Sequence, residues 1–547
     1  MKKLPLTLSF LFFTSLMTLG QSWLWAKGAT GNNLDSSWGI TYSIAADSIG
    51  NVYATGNYNG SFYFGAYKIS TGFYGNSSGD AYMVKYNANG NVIWANSPTI
   101  ATKSTFLIGS SVSTDYAGDI YMAGYWGGEI KIGQDTLNFN HYSNGLLVKY
   151  DTNGNVLWVR NTTTTSIGSV RYIACTTDKN GNVYVTGSFN DTIHIGAFTL
   201  DTTATAALIV KYDKNGNAIW AKSISAEYGF AITISKLGNI YVAGNLNSTP
   251  FVAKFDTAGN NLWIRSATAS GSYVAYASSV ATDNTENVYI TGGSTYPSYT
   301  FGNTTLSTLG NYGGIFFVKY DKNGNVIWAK DGNSPASATG ETHGSMVFTD
   351  KGDNIYLSGC FEDTLNMAGI KYSSPTADPS FIIKFDSSGN FICGAPIQDF
   401  DNESQALAVD PLTDNLYYGG NASGYAEYCI LGNDSIFLDG PANNSIPFLA
   451  KWTCDMTTGL NEHSPTNLVT VYPNPSNGKF YFQLGTSNEK QGIEIYNIFG
   501  EKVYSQLTVY NSAFTVDINS QPSGIYLFRL VSENGECIAS GKLVIQK

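Results

Sequence analysis

Residues 181–187 read Gly-Asn-Val-Tyr-Val-Thr-Gly, and close variants of that string recur along the chain. The other copies begin at Gly50, Gly118, Gly238, Glu286, Asp353 and Asp414. Seven tyrosines mark them: Tyr53, Tyr121, Tyr184, Tyr241, Tyr289, Tyr356 and Tyr417, with a mean spacing of about 61 residues. A second string alternates with the first. It reads Val-Lys-Tyr-Asp-Lys-Asn-Gly-Asn-Val-Ile-Trp at 318–328, with further copies from Val84, Val148, Val210, Ala253 and Ile383 and a truncated one from Ala450. Each string sets two β-rich runs around a Gly-Asn or Asn-Gly turn, which is a hairpin signal.

Two hairpins per repeat make four strands, A to D. A four-stranded sheet repeated seven times predicts an all-β fold, a seven-bladed β-propeller spanning residues 21–456. The seventh copy stops after strand C. Residues Ser22-Trp23-Leu24-Trp25-Ala26-Lys27 match the strand D ending Trp220-Ala221-Lys222. A strand from the start of the mature chain is therefore expected to close blade seven and hide two sheet edges.

Composition agrees with short strands and tight turns. Of 547 residues, 13% are charged against ~25% in an average domain, 58 are glycine and 14% are aromatic. These values argue against a coiled coil and against disorder. The formal charge of −11 would repel a phosphate backbone, so no nucleic acid partner is expected. Lys2 and Lys3 precede an apolar run from Leu4 to Leu19, then Gly20. That order reads as a secretory signal peptide over residues 1–20. The run is shorter than the ~20 residues that span a bilayer, and no transmembrane segment is expected in the mature chain. Export permits disulfides among Cys175, Cys360, Cys393, Cys429, Cys454 and Cys537, but the spacings select no pairing.

The body of the chain resembles the seven-bladed β-propeller repeat of secreted bacterial proteins (SBBP-type). The resemblance rests on the two strings and on a Phe-Gly element between them, as at Phe64-Gly65 and Phe301-Gly302. Blade four lacks that element and is shorter between strands B and C, which predicts a notch there. A lysine stands in every strand C, from Lys85 to Lys451, and an aspartate ends strand A in six blades, with Ser235 in blade four. Repetition of this kind belongs to a scaffold, so both are read as structural ion pairs or turn caps. The Asp-x-x-Gly-Asn turns carry an apolar residue at the sixth position, where a calcium loop needs glycine; they read as hairpin turns.

Histidines His141, His194, His343 and His463 form no known catalytic or metal motif. His343 is read as part of a solvated loop near Glu341. The sequence suggests no catalytic set, no metal site and no cofactor. Candidate ligand-binding residues are non-repeated aromatics: Trp38 and Phe106, nine residues before the strand A acid, Tyr273, ten before it, and Trp126. Such rings stack on sugars or anchor a partner; ordinary packing between blades is the alternative.

Residues 457–466 are polar and end near Ser464-Pro465-Thr466, as a linker does. About seven short strands follow, which predicts a small Ig-like β-sandwich over 467–547. Its motifs closely resemble the C-terminal sorting domain of the type IX (Por) secretion system of Bacteroidetes-type bacteria. The matching residues are Tyr472, Pro473, Asn474, Pro475, Gly478, Gly500, Gly524 and Tyr526. The resemblance implies passage through the periplasm, recognition by the type IX export machinery, and a secreted or outer-surface location. Together these features describe a secreted or surface-displayed binding protein for an unidentified extracellular glycan or protein. A glycan lyase or hydrolase on the same scaffold, or a purely structural surface component, is the competing expectation.

Overall fold

The computed structural model describes residues 20–31, 37–71, 79–100, 106–164, 168–271, 273–308, 313–333, 342–362, 364–373, 379–397, 405–422, 428–431, 434–437, 445–455, 469–484, 491–497, 501–509, 513–532 and 537–547. The expected signal segment up to residue 19, the linker 457–466 and Gly500 lie outside them. The described residues form strands and turns and no α-helix, so the fold is all-β, and none of it is a helix able to cross a membrane. The chain divides into two compact units, Met1–Asp455 and Met456–Lys547.

In the first unit, the described strands make seven antiparallel four-stranded ladders, most in simple A-B-C-D order. Their first strands are Trp38–Ala46, Phe106–Thr114, Ser169–Thr177, Tyr228–Ile234, Ala275–Thr282, His343–Thr349 and Gln405–Val409. Each packs on the next, and the last packs on the first, so the sheets close into a β-propeller-like ring. In the last sheet, strand Gly20–Gly28 pairs with Ile446–Asp455, Trp25 opposite Lys451 and Ala26 opposite Ala450. Strands B and C are covered on both faces by neighbouring sheets. Val52–Asn59 and Asp80–Tyr86 are accordingly buried at every position, whereas the outer strand Val92–Asn96 is buried mainly at Trp94.

The repeated residues are joints between sheets. The strand D tryptophan of one sheet donates its indole N–H to a carbonyl in the C–D turn of the next. Trp25 bonds Ala88, Trp94 bonds Thr152, Trp158 bonds Lys214, Trp220 bonds Thr257 and Trp263 bonds Lys322, all at 3.2–3.3 Å. In sheets one to four the strand C lysine reaches the same carbonyl, as Lys85 Nζ does at 2.9 Å from Thr152 O. At the sixth joint Lys319 takes the Ser387 carbonyl at 2.7 Å. At the remaining joint a disulfide links Cys393, in the tryptophan position, to Cys454, in the acceptor position, with Cα atoms 6.4 Å apart. Cys175 and Cys360 are buried and are not part of this disulfide; the side chains of Cys429 and Cys537 lie outside the described set.

The strand A aspartate caps its own turn and meets the lysine. Asp47 Oδ1 accepts the Ile49 and Asn51 N–H groups, and its Oδ2 accepts the Tyr53 hydroxyl at 3.1 Å. Lys451–Asp410 (2.6 Å) is a buried ion pair, and the partly buried Lys384 meets the buried Asp350 at 3.1 Å. Sheet four, with Ser235, has a different solution. Glu286, from the A–B turn of sheet five, reaches back to accept Ser235 Oγ (2.5 Å), Asn239 Nδ2 (2.8 Å) and Lys254 Nζ (3.4 Å). Burial raises the Glu286 pKa, but these donors outweigh it and hold the carboxyl below its ordinary range.

The Phe-Gly elements are turns of a second hairpin between strands B and C, as in Ser61–Phe64 with Tyr67–Ser70. Several are clasped by residues following strand D of the preceding sheet, such as Thr30–Gly31. Sheet four replaces this hairpin with the turn Leu246-Asn247-Ser248-Thr249. Both central residues there have positive φ, 50° and 61°, as a tight type I′ turn requires.

The second unit has two antiparallel sheets, Val469–Tyr472, Lys479–Leu484 and Ala513–Asp517 in one, and Lys502–Val509, Gln491–Asn497, Gly524–Ser532 and Cys537–Ile545 in the other. They share a core of Phe480, Phe482, Ile493, Ile495, Phe528 and Leu543.

Candidate binding site

At the centre of the first unit lies a cavity of about 720 Å³, lined by residues from all seven first strands. Its shape follows from a repeated irregularity. In sheets one to six the pairing of strands A and B skips one strand A residue: Tyr42, Ser110, Ile173, Phe230, Ser278 or Ser345. A β-bulge of this kind bends a strand and re-aims a side chain. The first five of these residues line the cavity.

The bulge depends on the last glycine of the repeated string. A Cβ at Gly187 would overlap the Arg171 carbonyl oxygen, and Gly56, Gly124, Gly244 and Gly292 face the carbonyls of Ile40, Ile108, Tyr228 and Tyr276 in the same way. The backbone is thus repeated, while the side chain it delivers to the cavity changes from sheet to sheet.

Hydroxyls line much of the wall, among them Ser43, Thr114, Thr177 and Thr233. Arg171 is the one charged residue of the described lining. Its guanidinium lies over the Tyr125 ring, 5.2 Å from the centroid. Phe230 stacks parallel to Tyr228 at 5.5 Å with an interplanar angle of 3°, and meets Tyr276 edge-on at 5.8 Å.

The four aromatics proposed from sequence are not brought together there, and none lines the cavity. Trp126 needs correction as a ligand-facing ring. It is 1% exposed and packs with Leu107, Ile130 and Leu146, because its strand is covered on both faces. Trp38 and Phe106 are half-buried; Trp38 bridges to Ser445 and Phe106 lies 6.2 Å from Tyr125. Tyr273 is exposed and pairs with Tyr296 at 5.6 Å. His343 also differs from its reading as a loop residue. It opens a strand, and its Nδ1 lies 3.3 Å from Cys360 Sγ. Asp80 is buried without a hydrogen-bond partner for Oδ1 among the described residues, and burial pushes its pKa up to about 7.

In the second unit, Asn474 is fixed by two bonds to the last strand, Nδ2 to Lys542 O (2.7 Å) and Val544 N to Oδ1 (2.8 Å). Tyr526 is buried, and its hydroxyl donates to Pro522 O at 2.9 Å. Tyr472 remains half exposed against Tyr481. A Cβ at Gly478, where φ is +112°, would overlap Asn519, whereas one at Gly524 would meet open space. Glu494 gathers Lys502, Tyr496 and Arg529, whose bonds lower its pKa to about 2.

Residues 470–546 match the secretion system C-terminal sorting domain. The match indicates export by the type IX machinery to the cell surface or the extracellular space. The chain is also 24% identical, over 495 residues, to an uncharacterized WD repeat-containing protein of Acanthamoeba polyphaga mimivirus; the alignment covers 72% of this chain and 34% of the relative. The chain thus spans about a third of the length of that curated relative. Among solved structures, the Dos1 propeller is similar at 9% identity and TM-score 0.40, covering 78% of this chain and 95% of its own. A protein of unknown function from Dyadobacter fermentans is similar at 9% identity and TM-score 0.38, covering 80% and 100%.

Proposed function

We propose that this chain is a secreted or surface-displayed seven-bladed β-propeller that binds an extracellular ligand in its central cavity. On this reading the Ig-like C-terminal module delivers it through the type IX pathway, as in the SBBP-type proteins its repeats resemble. One observation carries the binding reading. Joint residues are repeated around the ring, yet the bulge positions differ: Tyr42, Ser110, Ile173, Phe230 and Ser278. A purely architectural centre has no need of four different side chains, tyrosine, serine, isoleucine and phenylalanine, on one backbone geometry. The cavity volume falls within the ~300–1,000 Å³ range of ligand sites.

The test is a screen of immobilised glycans and surface proteins with the full chain and with Phe230→Ala. Hits that weaken at least tenfold in the variant, with its melting temperature unchanged, support the cavity as the site. Hits indifferent to Phe230→Ala and to Tyr42→Ala would move binding elsewhere and reject this reading.

A further inference from the structure

Arg171 differs from the strand C lysines and from the other two arginines of the first unit, Arg160 and Arg265. The strand C lysines Lys85, Lys149, Lys211, Lys254 and Lys319 bond joint carbonyls, and Lys149, Lys254, Lys319, Lys384 and Lys451 pair with carboxylates. Arg160 and Arg265 donate to the Gly216 and Gly324 carbonyls. None of the ion pairs among the described residues involves Arg171. It is exposed, lines the cavity, and rests on Tyr125. A guanidinium held over an aromatic face keeps its N–H fork available in its own plane, and that fork matches a planar carboxylate.

The surroundings narrow the ligand further. Phe230 is delivered into the same cavity by the bulge on the adjacent first strand, braced by Tyr228 and Tyr276. A ring fixed in this way offers a flat apolar surface with little entropy left to lose. Ser110 stands at the bulge on the other side of the Arg171 strand. An anion fork, a stacking ring and wall hydroxyls are the three elements that a sugar acid requires. Its carboxylate takes the fork, its C–H face takes the ring, and its hydroxyls exchange hydrogen bonds with the wall.

We propose that the cavity is a subsite for a carboxylate-bearing saccharide, a uronic acid unit, with Arg171 as its anion anchor and Phe230 as its stacking platform. This assignment rests on the cavity being the binding site. The chain's net charge of −11 repels an anion at long range, so a preference for acid has to be local, and Arg171 is the one charged residue of the described cavity lining.

The experiment uses the full chain and two probes that differ only at the carboxyl groups: a galacturonate tetramer and the same tetramer fully methyl-esterified. Binding to each is measured by calorimetry for the native chain, Arg171→Gln, Arg171→Lys and Phe230→Ala, with melting temperatures as folding controls. The native chain should bind the acid at least tenfold more tightly than the ester. Arg171→Gln should abolish that preference while leaving ester binding unchanged, Arg171→Lys should retain part of it, and Phe230→Ala should weaken both. Equal binding of acid and ester, or a preference that survives Arg171→Gln, overturns the proposal, although sensitivity to Phe230→Ala would leave the cavity as a binding site. Binding of neither probe also overturns it, and the broader reading is then decided separately by the screen above.

Discussion

Replacing Glu286 by glycine restores the residue found at that position in the first four copies of the string, yet it should destabilise the protein. Glu286 is 5% exposed, and its carboxylate is what Lys254 pairs with in sheet four. Removing one partner of a buried, hydrogen-bonded ion pair costs about 3–5 kcal/mol, because the other charge is left uncompensated. Lys254 keeps its bond to the Lys322 carbonyl, which favours the lower end. Glycine at φ +62° also relieves about 1 kcal/mol of left-handed strain. The net loss is then about 2–3 kcal/mol. Ser235→Asp alone sets a second carboxylate near Glu286 and should be neutral or destabilising. Combined with Glu286→Gly, it recreates the cap that Asp47 forms in sheet one, gives Lys254 a partner, and offers an acceptor to the Tyr241 hydroxyl, which has none among the described residues. The double variant should return to within about 1 kcal/mol of the native chain, a coupling of the size seen between residues of one network. Denaturant unfolding of the four chains of this cycle, followed by tryptophan fluorescence, measures it. Additive effects, or a Glu286→Gly chain as stable as the native one, would refute the idea that glutamate replaces the missing aspartate across the joint.

Gly187→Ala should destabilise by at least about 3 kcal/mol, because the Cβ must displace the Arg171 carbonyl from the bulge, whereas Gly524→Ala meets open space and should change melting within about 0.5 kcal/mol. Cys393→Ala with Cys454→Ala removes a tie across 61 residues of sequence and should lower stability by about 2–4 kcal/mol, read as a shift in denaturation midpoint. Asp80 ionises near pH 4 when unfolded and at about 7 when folded, so stability falls as pH rises between those values and levels above them. Asp80→Asn should therefore gain on the native chain from pH 4 to pH 8, and parallel melting profiles would reject the assignment. A chain ending at Asp455 should fold yet stay in the periplasm, which cell fractionation tests.

The periodic features of the fold were legible because each recurs in most or all of the seven copies. The order of the two strings fixed which strands pair, and the unfinished last copy pointed to Ser22–Lys27 as its partner. The site was less legible for the same reason. A bulge residue occupies one position in a strand whose ring-facing character appears only when the register is known, so Tyr42 and Phe230 look like ordinary alternation. The terminal glycine of the string is a usable signal, since a glycine kept inside a strand marks a bulge or close backbone approach. Trp126 misled because departure from the strand D pattern was equated with exposure, although strand B is covered on both faces. The disulfide was also written in the strings. Cys393 replaces the strand D tryptophan and Cys454 the residue whose carbonyl that tryptophan would take, and aligning the copies places the two in contact.

The two irregular joints show how a closed ring constrains its parts. In an open array a weak interface frays at an end, but here every sheet has two neighbours, and a lost contact opens a joint whose sheets are still held by the remaining ones. Two departures from the repeat are met at the same joint by different chemistry. At sheet four the missing aspartate is met by Glu286 from sheet five. At the joint of sheets six and seven, the tryptophan-to-carbonyl bond is replaced by a covalent link between the same two positions. Compensation of this kind is what marks the lysines, aspartates and tryptophans as scaffold. The bulge positions show no such pressure: Ser110 and Phe230 occupy equivalent places without any change in the ladder around them. Residues free to differ on a repeated backbone are where specificity is able to diverge, and five of the six bulge residues in this chain line one cavity.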